Sequence, residues 1–280
     1  LLHLKARGKI TSVLAAGCLV EREKHALTSR FPGLDAAIGI GALSKAAEAL
    51  ERKKTHIPEV SRSLASPRLK IRLTAPHSAY LKIADGCDNR CAYCLIPSIR
   101  GPFRSKSIEA VVKEARALAS SGAVEISLIA QDTTSYGTDI YGEPRLAQLL
   151  RKLVKIKSVR WWRLMYAYPE RITPGIIAVM RANPSVCRYL DMPLQHVADG
   201  ILKRMNRASS GNSIEKKISE LRRAMPDIAI RTNFIVGFPG ETQRDFHRLL
   251  TFVKKHRFAN VGVFKYSREP GTPAAALPGQ

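Results

Sequence analysis

The sequence is short of long apolar runs, of acidic residues and of paired metal-ligand motifs, and each shortage narrows what it can do. Its densest apolar run, Val13 to Val20, stops at eight residues, where a membrane-spanning helix needs about 18–20; no membrane association is expected. Acidic residues number 23 against 46 basic ones, a formal charge of +23. A surface of that sign favours polyanions such as RNA or a ribosome and speeds encounter with them; a solvated basic face is the plain alternative. The seven histidines form no HxxH or HxxxH pair. Five cysteines in 280 residues are an odd number, unlike the even sets that staple small secreted domains. No secretory leader is read at the start, where Leu1 is followed by basic residues and then strand-like sequence. The expectation is a soluble, cytoplasmic protein in a reducing compartment. The chain opens on Leu1 rather than Met and closes on Leu277-Pro-Gly-Gln280, so it is expected to be a fragment.

What cysteine there is lies concentrated. Cys87-Asp-Asn-Arg-Cys91-Ala-Tyr-Cys94 places three thiols in eight residues, in the pattern CxxxCxxC. A four-iron cluster normally takes four cysteine ligands; three would leave one iron open to bind and activate a substrate. Zinc is the rival. Cys91-Ala-Tyr-Cys94 alone is a CxxC knuckle, but a structural zinc site needs a second pair of ligands, and Cys18 and Cys187 are isolated. Inert thiols complete the alternatives. Cys187 follows Pro184-Ser-Val at the start of an apolar run, so a buried, unreactive thiol is its default.

An apolar fraction of 45% is ordinary for a globular chain, and the length suffices for one large core or two smaller ones. Residues 1–50 read as a small α/β piece: a strand over Lys9–Ala16 ending at Gly17-Cys18, a polar helix over Glu21–Leu27, and a short apolar run over Ala36–Ile40. Residues 51–78 are charged and proline-containing and read as a linker. From 79 to 280, strands and helices alternate. Strands are expected at Tyr80–Ala84, Glu125–Ala130, Trp161–Met165, Arg188–Met192, Ile228–Val236 and Asn260–Tyr266. The helices between them start at Ser107, near Leu146, at Thr173-Pro174, at Ser213 and at Thr242. Six such units argue for a parallel sheet with right-handed crossovers, an open, partial (β/α)6 barrel. Ligands of such folds sit at the carboxyl ends of the strands. The unusual segments fall there: the cysteines, Gln131-Asp-Thr-Thr, Tyr166-Ala-Tyr-Pro-Glu, Pro193-Leu-Gln-His, Gly237-Phe-Pro-Gly-Glu and Ser267-Arg-Glu-Pro-Gly-Thr.

These segments resemble the radical S-adenosylmethionine enzymes, and among them the methylthiotransferases. The cysteine segment with Leu95-Ile-Pro and Arg100-Gly-Pro-Phe-Arg-Ser carries the likeness. Within that family, Ala130-Gln-Asp-Thr-Thr, Tyr168-Pro-Glu-Arg-Ile-Thr, Leu190-Asp-Met-Pro-Leu-Gln-His and Tyr266-Ser-Arg-Glu-Pro-Gly-Thr are similar to the branch that modifies ribosomal protein S12. The sibling branch acting on tRNA adenosine favours other residues after the second and fourth strands; the last segment is mixed. The resemblance implies a [4Fe–4S] cluster on Cys87, Cys91 and Cys94 whose open iron chelates S-adenosylmethionine. One electron then cleaves the sulfonium, and the adenosyl radical abstracts hydrogen from carbon. Tyr93, Gln131, Gln195, Arg231 and Gly237 become candidate contacts of that cofactor, against core packing for Tyr93 and ordinary strand-end polarity for the others. For Gly237 a simple tight turn is the alternative. It further implies that the first piece is the end of a methylthiotransferase domain, with Cys18 one ligand of a second [4Fe–4S] cluster whose other ligands are missing from this chain. The expected product is a methylthio group on the β-carbon of an aspartate of ribosomal protein S12, on or off the small ribosomal subunit, with an electron-donor protein as partner. The same chemistry on tRNA adenosine, and a non-catalytic iron–sulfur or zinc RNA-binding module, are the alternatives.

Overall fold

A computed structural model describes residues 1–24, 26–58 and 75–280. Residues 59–74 of the expected linker lie outside the described residues. The chain divides into two compact units: Leu1–Ser63 with Leu95–Pro102, and Leu64–Cys94 with Phe103–Gln280. The segment that follows Cys94 in sequence therefore belongs with the first unit, an assignment that boundaries drawn at 50 and 79 do not contain.

The first unit holds α1 (Leu2–Ala6), β1 (Leu14–Ala16), α2 (Cys18–Glu23), α3 (Ala26–Arg30), β2 (Ala36–Ile38), α4 (Ala46–Glu51) and α5 (Ile96–Arg100). The strands pair in parallel from Leu14–Ala36 to Ala16–Ile38, and β2 is wholly buried. Two expectations change here. Only the last three residues of the expected Lys9–Ala16 strand pair, and the expected helix over Glu21–Leu27 is two helices. Lys24 lies between them at φ 48°, a left-handed backbone that α-helix cannot continue through.

The second unit is built on β3 (Ser78–Lys82), β6 (Glu125–Ile129), β7 (Trp161–Leu164), β8 (Val186–Asp191), β9 (Ala229–Val236) and β10 (Asn260–Lys265). They form one parallel sheet in the order β10-β9-β8-β7-β6-β3. Each strand neighbours its predecessor, so successive right-handed crossovers lay the helices on one face. That is the partial (β/α)6 barrel that the alternation implies. A second, two-stranded antiparallel sheet joins β4 (Ala84–Asp85) to β5 (Arg104–Ser105), bracketing the cysteine loop in sequence. Pairs this short leave no periodicity to read.

The helices of this unit are α6 (Ile108–Ser120), α7 (Thr138–Tyr141), α8 (Leu146–Leu153), α9 (Pro174–Ala182), α10 (Asp199–Arg204), α11 (Gly211–Ala224) and α12 (Gln243–His256). Their local reasons are plain. In α6, Ile108, Val111, Ala115 and Leu118 are buried at helical spacing, and the Ser107 side chain accepts from Ala110 N. In α8, Leu146, Leu149, Leu150 and Leu153 are buried; full burial of one such side chain is worth roughly 1.5–3 kcal/mol. Ser210 rather than Ser213 caps α11, and Ser213 returns the bond as the third residue of a capping box. That reciprocity starts the helix two residues earlier than expected.

Candidate functional site

The sheet decides where chemistry can sit. Its six strands are parallel, so their carboxyl ends share one rim, and segments leaving that rim can carry side chains without breaking ladder bonds. Just past β7 and β8, Tyr166 and Gln195 take φ values of 56° and 70°. Non-glycine residues in that region cost about 1–3 kcal/mol each, and such positions cluster at functional sites.

The cysteine loop leaves β4 through Gly86, at φ 79°. It is fastened along its length. Asp88 Oδ1 accepts from Phe103 N at 2.9 Å, and Asn206 Nδ2 donates to Arg90 O at 2.6 Å. Ala92 N donates to Met205 O at 2.9 Å, and Ala92 O accepts from Ala274 N at 2.8 Å. Cys87 is buried, while Cys91 and Cys94 are partly exposed. Burial pushes the Cys87 thiol up to about 11, with the charges of Asp132, Cys91 and Cys94 adding to the rise and the Asn89 backbone N–H opposing it. Metal binding would displace that proton, because a coordinated thiol is deprotonated.

Arg207 closes the other side. Its guanidinium lies 3.9 Å above the Tyr168 ring, donates to Pro193 O at 2.9 Å and stands 3.9 Å from Cys91 Sγ. Arg171 lies 4.8 Å from the same ring. Arg171, Asn89 and the buried Asp132 also bond to one another. None of these residues stands out singly in the sequence. Asp132 and Arg171 sit inside conspicuous strand-end segments, and that is the signal that could have found them; Arg207 lies in no such segment.

The candidate cofactor contacts distribute unevenly. Tyr93 packs edge-on against Phe238, ring centroids 6.4 Å apart at 85°, and Phe238 packs on Tyr266 at 5.2 Å. Tyr93, Gln195, Asn233 and Tyr266 line a cavity of about 190 Å³. Gly262, on β10, leaves room for Asn233: a Cβ there would lie 2.3 Å from Asn233 Oδ1. Gly237, at φ 70°, has open space where a Cβ would stand, and its N–H donates to Glu241 Oε2. Glu241 Oε1 also meets the buried His196 Nε2 at 3.3 Å. Arg231 sits in the first half of β9 and gives one donor to Asp191 at 2.7 Å. Gln131 does not line the 190 Å³ cavity, but its Oε1 is buried without a partner. So are Asp191 Oδ2, Asn233 Oδ1 and the Tyr266 hydroxyl. Buried acceptors left unpaired cost about 1–3 kcal/mol each, so this rim suits a ligand rich in donors.

Among the described residues, no three His, Cys, Asp or Glu side chains are grouped so as to hold a single metal ion. A four-iron cluster asks something else, since each thiolate reaches a different iron. The donor set fits it: three thiols on one fastened loop, with Arg207 beside them to offset negative charge. In the first unit Cys18 is exposed at the start of α2, and Arg100 donates to its sulfur at 3.3 Å. Cys187, expected to be buried, is half-buried in β8; burial raises its thiol, in keeping with an unreactive role.

Residues 81–253 match the Radical SAM superfamily. The chain is 53% identical over 274 residues to the ribosomal protein uS12 methylthiotransferase RimO of Elusimicrobium minutum, covering 98% of this chain and 64% of that protein. It is 47% identical to the protein of the same name from Geobacter sulfurreducens, covering 99% of this chain and 63% of the relative. The chain thus spans a little under two thirds of these relatives' length. Among solved structures it resembles the radical S-adenosylmethionine methyltransferase TsrM of Kitasatospora setae, with tryptophan and an S-adenosylmethionine analogue bound. The TM-score is 0.71 and the identity 16%, over 94% of this chain and 57% of that one. It also resembles the cobalamin-dependent radical enzyme OxsB, at a TM-score of 0.64 and 13% identity, over 96% of this chain and 42% of that one. At those identities the likeness is one of fold.

Proposed function

The chain belongs to the radical SAM superfamily, and from that footing we propose that it is part of an enzyme that places a methylthio group on the β-carbon of an aspartate in ribosomal protein uS12. The observation that carries this reading is the 53% identity, over 98% of the chain, with a protein named for that activity. The family implies a four-iron cluster and S-adenosylmethionine, which when bound together supply one-electron radical chemistry at an unactivated carbon.

This chain's own residues have the following tasks. Cys87, Cys91 and Cys94 hold the cluster from the loop after β4. Tyr93, Gln195 and Asn233 line the cavity that would receive the cofactor's ring system. The unpartnered acceptors of Gln131, Asp191 and Asn233 match the ammonium, hydroxyl and amino donors that S-adenosylmethionine offers. Gly237 keeps the backbone open to a close approach, and Arg231 orients Asp191 at the rim. Cys18 contributes one thiolate to a second cluster that carries the sulfur to be transferred. The partners are uS12, on the small ribosomal subunit, and a protein that donates electrons. The site of action is the cytoplasm; among the described residues no helix is long and apolar enough to cross a membrane.

The test uses the full-length protein under anaerobic conditions with reductant, sulfide and S-adenosylmethionine, supplied with uS12 and bulk tRNA together. A methylthio mass gain on an aspartate of uS12 is the expected result. Gain on tRNA alone would assign the chain to the adenosine-modifying branch, to which the +23 charge is equally suited. Gain on neither would contradict the reading.

A further inference from the structure

We propose that Asn89, Asp132 and Arg171 form a tether that sets the cysteine loop at the distance from the strand ends that the cluster requires, and that Asp132 is therefore a positioning residue. This rests on the reading of Cys87, Cys91 and Cys94 as cluster ligands. Asn89 stands in the loop itself, between Cys87 and Cys91. Its Nδ2 donates to Asp132 Oδ2 at 3.0 Å, and its Oδ1 accepts from Arg171 at 2.9 Å. The same Arg171 nitrogen donates to Asp132 Oδ2 at 2.5 Å, so three side chains from three strand-end segments close a ring.

Asp132 is held as firmly from below. It is 2% exposed, and its Oδ1 accepts from Thr134 N at 3.0 Å, Thr134 Oγ1 at 2.5 Å and Ser135 N at 3.2 Å. Ser135 Oγ donates to Oδ2 at 2.9 Å. The two carboxylate oxygens are used unequally: Oδ1 serves only its own turn after β6, while Oδ2 takes one bond from that turn and also reaches across to the loop. The turn alone needs no charge, since asparagine caps as well as aspartate. The charged oxygen facing Asn89 and Arg171 is what a local turn leaves unexplained. Bonds of this charge-assisted kind are about twice as strong as neutral ones.

The division of work gives a test that separates a tether from a turn. Full-length protein with its cluster reconstituted would be prepared as wild type, Asn89→Asp, Asp132→Asn and the double variant that exchanges the two side chains. Iron content, the rate at which a ferrous chelator strips iron, and the melting temperature would be measured on each. Asn89→Asp sets two carboxylates against each other, and Asp132→Asn removes the charge that Arg171 meets. Each single variant should lose iron about ten-fold faster, as expected for one charge-assisted bond lost. The exchanged pair restores one acid and one amide facing Arg171 and should return the rate to near wild type. Single variants that strip at the wild-type rate, or an exchange no better than either single, would overturn the proposal. Should Asp132→Asn fail to fold, and the exchange that carries it fail likewise, Asn89→Asp decides it alone: faster stripping there supports the proposal and the wild-type rate overturns it. Wild type that holds no loop cluster would instead defeat the underlying reading, a result visible before any variant is made.

Discussion

Cys18 begins a six-residue helix behind a glycine that supplies no side-chain cap, and its sulfur lies exposed with Arg100 at 3.3 Å. Cys87, Cys91 and Cys94 lie on a loop bonded through Asp88, Asn89, Arg90 and Ala92 to five separate stretches of chain, at Phe103, Asp132, Arg171, Met205-Asn206 and Ala274. One region offers a ligand; the other offers a frame. A frame of two backbone–backbone bonds and four that involve side chains spaces the three thiols, and that preorganisation lowers the ordering cost of taking up a cluster. A single exposed thiol brings no such frame, so any cluster it joined would depend on what the other ligands supply.

The contrast predicts that replacing any of Cys87, Cys91 or Cys94 by serine abolishes the loop cluster and all activity, whereas Cys18→Ser leaves the loop's iron in place while ending sulfur transfer. Iron analysis of the four variants checks it, and loss of the loop cluster in Cys18→Ser would break the comparison. Next in size, Leu149→Ala removes a side chain that is 0% exposed beneath the sheet and should cost about 2–5 kcal/mol in urea unfolding. If the frame is local, the folded fraction of that variant still strips iron at the wild-type rate.

A smaller effect is expected at His196. Its Nδ1 accepts from Ala198 N at 3.0 Å while Nε2 faces Glu241, so His196→Asn should lose about 1–3 kcal/mol. Burial holds this imidazole below its ordinary range, with Glu241 pulling the other way. The unfolded chain therefore binds the extra proton, and stability falls as pH drops below about 6.5. Denaturation between pH 8 and 5 should show that decline, and His196→Asn should flatten it only in part, because burial lowers His256 likewise. Smallest of all, Arg207→Met takes a cation from beside Cys91 and should move the loop cluster's midpoint potential to more negative values; a redox titration reads it.

Much of this was legible in the residues. The helical spacing of Ile108, Val111, Ala115 and Leu118, and the caps at Ser107, Thr173 and Thr242, located their elements because each signal is local. The six strands and their carboxyl-end segments followed from alternation. What escaped were pieces too short to show a period, such as β4, β5 and α10, and bonds made only by folding. Asn89 lies 43 residues from Asp132 and 82 from Arg171. No spacing rule joins positions so distant, so the ring is visible only in three dimensions. Ser213 shows the intermediate case: it is part of the capping box, but the N-cap residue, Ser210, lies three places earlier.

The central claim is that the loop alone holds a cluster with one iron open to S-adenosylmethionine. Electron paramagnetic resonance of the reduced full-length Cys18→Ser protein, recorded with and without S-adenosylmethionine, tests it most directly. A four-iron signal whose g values shift when the cofactor is added is the expected result. A signal indifferent to the cofactor, or zinc in place of iron with no signal at all, would contradict it.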